Sequence, residues 1–206
     1  LAVRLVELAP EDTAAVAAAV AWLTRTGQPL EAIAFAEMAY QMTQPVNVAA
    51  TLGAYEQMDS ESQALLGQKI RDMAVQWPED DEIAIAASLL ARLENDLPTA
   101  AESLAPVISR TPDNLRAILL WTQIMLDQKA SDPLKLLRES VDAYPANQEL
   151  RLQYARLLGS ERDYAAAQTQ FDILLSNDPN NPELLGTAAL LDFELEFFEA
   201  ALEKFQ

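Results

Sequence analysis

The stretch that decides the fold is DYAAAQTQFDILLSNDPNN, residues 163–181. It closes at Asp178-Pro179, and a proline closes a comparable stretch five more times along the chain. The gaps between successive closing prolines are 35, 33, 34, 33 and 34 residues. A period this regular indicates a repeat architecture in which each repeat is one supersecondary unit. The five earlier closing prolines are Pro10, Pro45, Pro78, Pro112 and Pro145.

One period contains two segments with the pattern of an amphipathic helix. In residues 147–159, Leu150, Tyr154 and Leu158 recur at helical spacing on one face. Asp163 is a predicted N-cap for the second segment, which carries its own apolar stripe. The helix ends before Pro179 because the residue that precedes a proline avoids helical geometry. The repeat is therefore predicted to be a helix, a short turn, a second helix and a proline turn.

These residues resemble the tetratricopeptide-repeat family. In the fifth unit, Leu158, Tyr164, Ala167, Phe171 and Pro179 stand at five signature places. The resemblance implies an all-α fold, a right-handed superhelical solenoid of antiparallel helix pairs. We expect a single solenoid over residues 1–206 that is a fragment of a longer array. Its expected units are 1–10 (partial), 11–45, 46–78, 79–112, 113–145, 146–179 and 180–206 (partial).

The composition argues against several classes of function. The chain has 14 basic and 32 acidic residues, a net charge of −18, which disfavours binding to nucleic acid and to anionic membranes. It has no cysteine and no histidine, so thiolate metal sites and the commonest general base are missing. The five glycines are scattered and form no phosphate-binding loop. We therefore expect no catalytic residue, no metal, no cofactor and no enzymatic activity. No apolar run approaches the roughly 20 residues that span a bilayer, so we expect no membrane insertion by this segment.

The family resemblance implies that the first helices of successive units line a concave groove that binds ligands. The first unit offers mostly alanine at the groove places. Some family members hold a peptide carboxylate there with lysine and asparagine, a set that this chain lacks. The groove is mostly apolar with two arginines, which predicts a helix or extended peptide with apolar anchors as the ligand. The predicted groove residues are Leu52, Tyr55, Ile85, Leu89, Arg92, Leu119, Thr122, Met125, Gln153, Arg156 and Leu190, with Ile118 and Phe193 at equivalent places.

The sequence thus predicts a scaffold or adaptor whose partner is a protein or peptide. A loose resemblance to large bacterial envelope repeat proteins, some of them outer-membrane lipoproteins that recruit processing proteases, favours a periplasmic or membrane-anchored location over the cytoplasm. The alternative is a structural module that forms homo-oligomers through its C-terminal edge at residues 197–205. Two stretches without Lys or Arg, 26–68 and 163–203, are either solvated faces or a docking surface for a basic partner.

Overall fold

The structure is a computed structural model that describes residues 4, 6, 11–197, 201 and 204 of the 206-residue chain. Ten α-helices and one 3-10 helix lie within the described residues, and no strand occurs among them. This confirms the all-α fold class. The helices are α1 (Thr13–Arg25), α2 (Pro29–Gln41), the 3-10 helix (Val48–Gln57), α3 (Ser60–Gln76), α4 (Asp81–Leu93), α5 (Leu97–Arg110), α6 (Leu115–Asp127), α7 (Lys135–Ala143), α8 (Gln148–Ser160), α9 (Tyr164–Asn177) and α10 (Pro182–Glu194).

The chain divides into two compact units, Leu1–Gln128 and Lys129–Gln206. In the first unit, α1 packs on α2, α4 packs on α5, and the 3-10 helix packs on both α2 and α4. In the second unit, α8 packs on α9, and these two helices also contact α7 and α10 respectively. Each unit is thus built from neighbouring helices of the predicted repeats. The expectation of one continuous array over residues 1–206 stays a prediction.

The first helix of every repeat begins at the same kind of N-cap. An aspartate or asparagine stands two residues after each closing proline, and its side chain accepts a hydrogen bond from a backbone N–H of the first turn. Such a cap contributes about 1 kcal/mol to helix stability. Proline ends the previous helix and the polar residue starts the next one, so the period fixes both ends of the turn. The six caps are Asp12, Asn47, Asp80, Asn114, Asn147 and Asn181.

The turn between the two helices of a repeat uses a left-handed residue. Gly27 has a φ of 72° in the first repeat, where glycine carries no steric cost. The same turn in the third to sixth repeats places a residue with a side chain at φ values of 53–65°. These residues are Asn95, Lys129, Arg162 and Glu196. The repeat period therefore also appears in the backbone, although the sequence marks it with glycine only once.

The core of each unit consists of the predicted small and large apolar residues. Ala100 and Ala167 are fully buried in second helices, where the absence of a larger side chain allows close helix contact. Phe171 and Tyr154 are buried, as the repeat pattern predicted. Phe198 and Phe205, which the pattern also assigns to the core, lie outside the described residues. Burial of apolar area of this kind is the main source of stability in a repeat stack.

The second repeat departs from the pattern because its first helix is a 3-10 helix of ten residues. Its sequence VAATLGAYEQ contains β-branched residues and a glycine, which lower α-helical propensity. The Thr51 hydroxyl donates to the Val48 carbonyl, three residues back, at 2.7 Å. At its end, Gln63 Nε2 donates to the Tyr55 carbonyl at 2.8 Å. These side chains add hydrogen bonds to backbone carbonyls of the 3-10 helix, and the Tyr55 carbonyl also accepts the Met58 backbone N–H at 3.1 Å.

Three local features depart from the simple pattern in which an aspartate caps each helix and a glycine or proline ends it. Asp132 does not cap α7, because its carboxylate binds the Arg138 guanidinium instead, and Leu134 precedes that helix without a side-chain cap. Helix α8 does not stop at Gly159 but runs to Ser160. Pro106 lies inside α5, which nevertheless continues to Arg110.

Candidate peptide-binding face

Each compact unit has a candidate site, its first-helix face, defined as the solvent-accessible sides of its first helices. These are α1, the 3-10 helix, α4 and α6 in Leu1–Gln128, and α8 and α10 in Lys129–Gln206. On α4, Leu89 is half-buried and packs against the core with part of its surface open. Arg92 lies one turn further along and is also partly exposed. Ile85 is buried at 3% exposure, so the accessible surface at that level comes from its neighbours.

On α6, the predicted residues differ in how accessible they are. Leu119 is half-exposed, whereas Ile118 is fully buried. Thr122 is also buried, and its hydroxyl donates to the Ile118 carbonyl at 2.8 Å. Met125 is partly exposed and packs against the core cluster. Leu119 is therefore the apolar residue of α6 that is best placed to meet a ligand.

The 3-10 helix turns Leu52 and Tyr55 away from solvent. In a 3-10 helix, side chains three residues apart eclipse each other, so Ala49, Leu52 and Tyr55 share one face, and all three are buried. The Tyr55 hydroxyl donates to Glu94 Oε1 at 3.3 Å, and burial, followed by the nearby Glu94 carboxylate, raises the pKa of this phenol. The accessible face of this repeat carries Ala50 and Gly53 instead.

In Lys129–Gln206, the predicted residues lie on the faces of α8 and α10. Gln153 donates to the Glu149 carboxylate, one turn earlier on α8, at 2.7 Å. Arg156 is exposed and forms an ion pair with Glu183 at the start of α10. Leu190 is 60% exposed, which is unusual for a leucine in a packed helix. This face therefore combines an ion pair with a large exposed apolar side chain.

Ion pairs between first helices lie near both ends of the helices that carry the apolar residues in Leu1–Gln128. Arg92 Nε lies 2.6 Å from Asp127 Oδ2 and joins the C-terminal ends of α4 and α6. At the N-terminal ends, Arg116 Nη1 lies 2.6 Å from Glu82 Oε1. The second Arg116 nitrogen donates to Asn47 Oδ1 at 3.0 Å and so reaches the cap of the 3-10 helix. Leu89 and Leu119 belong to the same two helices as these pairs.

Sequence reasoning missed the partners of these arginines. The signal that could have found them is charge reversal at the repeat period, since Glu82 and Arg116 stand 34 residues apart and Arg92 and Asp127 stand 35 apart. Equivalent positions of stacked repeats are neighbours, so opposite charges there can pair. Partly exposed pairs of this type contribute about 0–1 kcal/mol each.

The described residues contain no group of three or more His, Cys, Asp or Glu side chains that could hold a metal ion. None of the helices within the described part of the chain is long and apolar enough to cross a membrane.

The fold matches solved structures whose sequences are distant from this one. PilF of Pseudomonas aeruginosa superposes with a TM-score of 0.58 at 15% identity, covering 93% of this chain and 88% of PilF. MamA of Desulfovibrio magneticus RS-1 superposes with a TM-score of 0.54 at 15% identity, covering 77% of this chain and 88% of that one. A double mutant of MamA from RS-1 gives 0.52 at 14% identity, with coverage of 74% and 84%. These proteins are built from tetratricopeptide repeats.

The chain has the tetratricopeptide-repeat fold. The recognition made from Tyr164, Ala167, Phe171 and the proline period is thereby confirmed at the level of fold. No known family profile and no curated protein sequence matches the chain. The tetratricopeptide-repeat assignment therefore rests on the repeat period, the helix pairs and the structural neighbours together.

Proposed function

We propose that this protein is a protein-interaction scaffold that binds a helical or extended peptide segment along the first-helix face. The observation that carries the proposal is the pattern of that face in Leu1–Gln128, where half-exposed leucines of α4 and α6 share their helices with two inter-repeat ion pairs. Apolar anchors with a few orienting charges suit a peptide partner, since interface energy concentrates in a few such residues.

The test uses Leu119 and a matched control on a second helix. Peptides are selected from a random displayed library against the wild-type protein, and their affinities are measured by fluorescence polarisation. We expect Leu119→Glu to weaken the selected peptides at least tenfold. Val75→Glu places the same new charge on α3 at a valine that is 83% exposed, and it should leave the affinities unchanged.

The stability of both variants serves as the folding control. Leu119 is only half-buried, so we expect its substitution to cost on the order of 1 kcal/mol or less. Peptides that bind Leu119→Glu as tightly as the wild type would remove the first-helix face from the proposal. Peptides that are lost only from Val75→Glu would place the site on the second helices.

Self-association is the second candidate, and exposed apolar residues in Lys129–Gln206 favour it. Leu190 and Phe193 are about 60% exposed and Phe197 is 52% exposed, while Ala201 is buried. The other residues of the predicted C-terminal edge, Phe198, Leu202 and Phe205, lie outside the described part of the chain. Sedimentation equilibrium decides between the candidates. A mass of 22.7 kDa at every concentration would exclude self-association, whereas a dimer that Leu190→Glu dissociates would support it.

The narrower hypothesis, a bacterial envelope adaptor that recruits a processing protease, depends on the loose sequence resemblance alone. Its test is fractionation of a bacterium that expresses the complete gene, followed by co-purification with envelope proteases. Recovery of the protein from the cytoplasm would exclude this hypothesis and leave the scaffold proposal intact.

A further inference from the structure

A cavity opens on the first-helix face between α1 and the start of the second repeat. Its volume is about 460 Å³, within the range of roughly 300–1,000 Å³ that is typical of ligand pockets. Alanines at three of the lining positions leave the space unfilled. The lining residues are Ala17, Val20, Ala21, Thr24 and Arg25 from α1, and Pro45, Val46, Asn47 and Ala50 from the turn and the 3-10 helix.

Arg25 brings an uncommitted positive charge to this cavity. It is exposed in the last turn of α1 and has no ion-pair partner among the described residues. Nine of the 14 basic residues of the chain do pair with a carboxylate. Acidic residues outnumber basic ones more than twofold, yet the Arg25 guanidinium remains available to a ligand. The free guanidinium complements a ligand that carries a carboxylate.

Thr24 lines the cavity, but its hydroxyl oxygen is not part of the accessible wall. Its hydroxyl oxygen is buried and is the only buried side-chain polar atom in the described part of the chain without a hydrogen-bond partner. The buried Thr51 and Thr122 hydroxyls, by contrast, donate to carbonyls of their own helices. Because this oxygen is buried, a ligand in the cavity does not reach it, and Arg25 is the polar group that the cavity offers to a ligand.

The cavity is continuous with the face proposed to bind a peptide. Asn47 lines it, and the side-chain oxygen of Asn47 also accepts the hydrogen bond from Arg116, which pairs with Glu82 on α4. A peptide that follows the first-helix face from α4 and α6 therefore reaches the cavity beside Asn47. A peptide bound in this way presents its side chains to the cavity, and its carboxyl terminus lies outside the cavity.

We propose that this cavity receives one large apolar side chain of the bound peptide and that Arg25 pairs with an aspartate or glutamate side chain next to it in the peptide. The inference rests on the scaffold function proposed above and adds the chemistry of the partner. The shape and charge of the cavity favour a peptide in which an apolar residue stands next to an acidic residue. This pair lies within the peptide and not at its carboxyl end.

The test follows amide shifts of Ala17, Ala21 and Ala50 in nuclear magnetic resonance spectra during titration with blocked tetrapeptides. All peptides are acetylated and amidated, so that no terminal charge is present. One carries leucine followed by glutamate, a second replaces glutamate by glutamine, and a third replaces leucine by alanine. We expect the leucine–glutamate peptide to bind about two- to fivefold more tightly than its glutamine counterpart, the effect of one exposed ion pair. The alanine peptide should not bind.

Matched variants separate the two parts of the subsite. Arg25→Gln should abolish the preference for glutamate and keep the leucine-dependent shifts, whereas Arg162→Gln, at another exposed arginine without an ion pair, should change neither. Ala21→Leu fills the cavity and should abolish binding of every peptide. Ala34→Leu makes the same change at an exposed alanine of α2 and should preserve binding.

A glutamate preference that survives in Arg25→Gln, or the absence of any shift at the three alanines, would each overturn the subsite. The peptides selected by display identify which proposal has failed. Affinity that falls in Leu119→Glu but not in Ala21→Leu would reject the subsite and keep the scaffold function. Affinity that neither substitution changes would reject both.

Discussion

The hydrogen bond between Tyr40 and Asp80 links the second helix of the first repeat to the cap of the third. The Tyr40 hydroxyl donates to Asp80 Oδ1 at 2.9 Å, and the same oxygen accepts the Ile83 backbone N–H at 3.0 Å as the N-cap of α4. The Tyr40 ring is buried and lies 5.3 Å from the Trp77 ring, centre to centre. The hydrogen bond therefore joins the first repeat directly to the third, without a residue of the second repeat, whose first helix is the 3-10 helix.

We expect Tyr40→Phe to lower the free energy of unfolding of Leu1–Gln128 by about 1.5 kcal/mol. Hydrogen bonds to charged groups contribute about 1.5–3 kcal/mol, and the lower end applies because Asp80 is partly exposed and keeps its helix-cap bond. Phenylalanine retains the packing against Trp77. Tyr55→Phe is the matched control, with a longer bond of 3.3 Å to a Glu94 carboxylate that Arg71 already pairs. Its effect should be less than half as large.

Urea unfolding followed by tryptophan fluorescence measures the difference. The three tryptophans, Trp22, Trp77 and Trp121, all belong to Leu1–Gln128, so the signal reports that unit. With a urea dependence of about 2 kcal/mol per M, the midpoint should fall by about 0.7 M. A shift below about 0.2 M would show that the bond contributes nothing beyond ring packing.

The pH dependence gives a second readout of the same bond. Burial, together with the Asp80 hydrogen bond, raises the pKa of the Tyr40 phenol well above its ordinary value. A raised pKa means that folding favours the neutral phenol, so this contribution is fully present below about pH 10 and is lost as the pH rises further. The stability difference between wild type and Tyr40→Phe should therefore narrow above pH 10. A difference that stays constant to pH 11.5 would contradict the reasoning.

Three further substitutions test the repeat architecture. Arg162→Gly should raise the thermal midpoint of Lys129–Gln206, because glycine adopts the left-handed backbone of this position without steric strain. The expected gain is about 0.5–1 kcal/mol. Glu161→Gly is the control, and it should lower the midpoint because Glu161 has an ordinary φ of −81°. Phe171→Ala should cost about 3–5 kcal/mol in urea unfolding followed by circular dichroism, since it truncates a buried core side chain. Asp192→Ala should lower the free energy of unfolding by about 3 kcal/mol, because it leaves the Lys204 ammonium without its buried partner. A loss below about 1 kcal/mol would show that the ion pair is dispensable for stability.

The period of the closing prolines was sufficient to predict the helix pairs. It works because proline ends one helix and the polar residue two positions later starts the next, as at Pro112 and Asn114. The burial of Tyr154 and Phe171 followed from the same count. These features depend on local chemistry that recurs in every repeat, so a single sequence contains enough copies to reveal them.

The accessible residues of the first-helix face were harder to predict. Counting from the prolines assumes 3.6 residues per turn in every first helix, and the 3-10 helix breaks this assumption, which explains why Leu52 and Tyr55 are buried. On α6 the count placed adjacent residues, Ile118 and Leu119, in the groove, and only Leu119 keeps accessible surface. The ion pairs become visible only when charges at equivalent positions of successive repeats are compared, such as Glu82 with Arg116, and a count within one repeat does not make that comparison.

The 3-10 helix connects the departure from the repeat pattern to the proposed subsite. A 3-10 helix rises about 2.0 Å per residue against 1.5 Å in an α-helix, so ten residues span about 20 Å rather than 15 Å. The same segment directs its large side chains, Leu52 and Tyr55, into the core and leaves Ala50 beside the alanines of α1. The cavity therefore lies between the alanines of α1 and a 3-10 helix whose large side chains are buried in the core, and Arg25 supplies a charge that no ion pair neutralises.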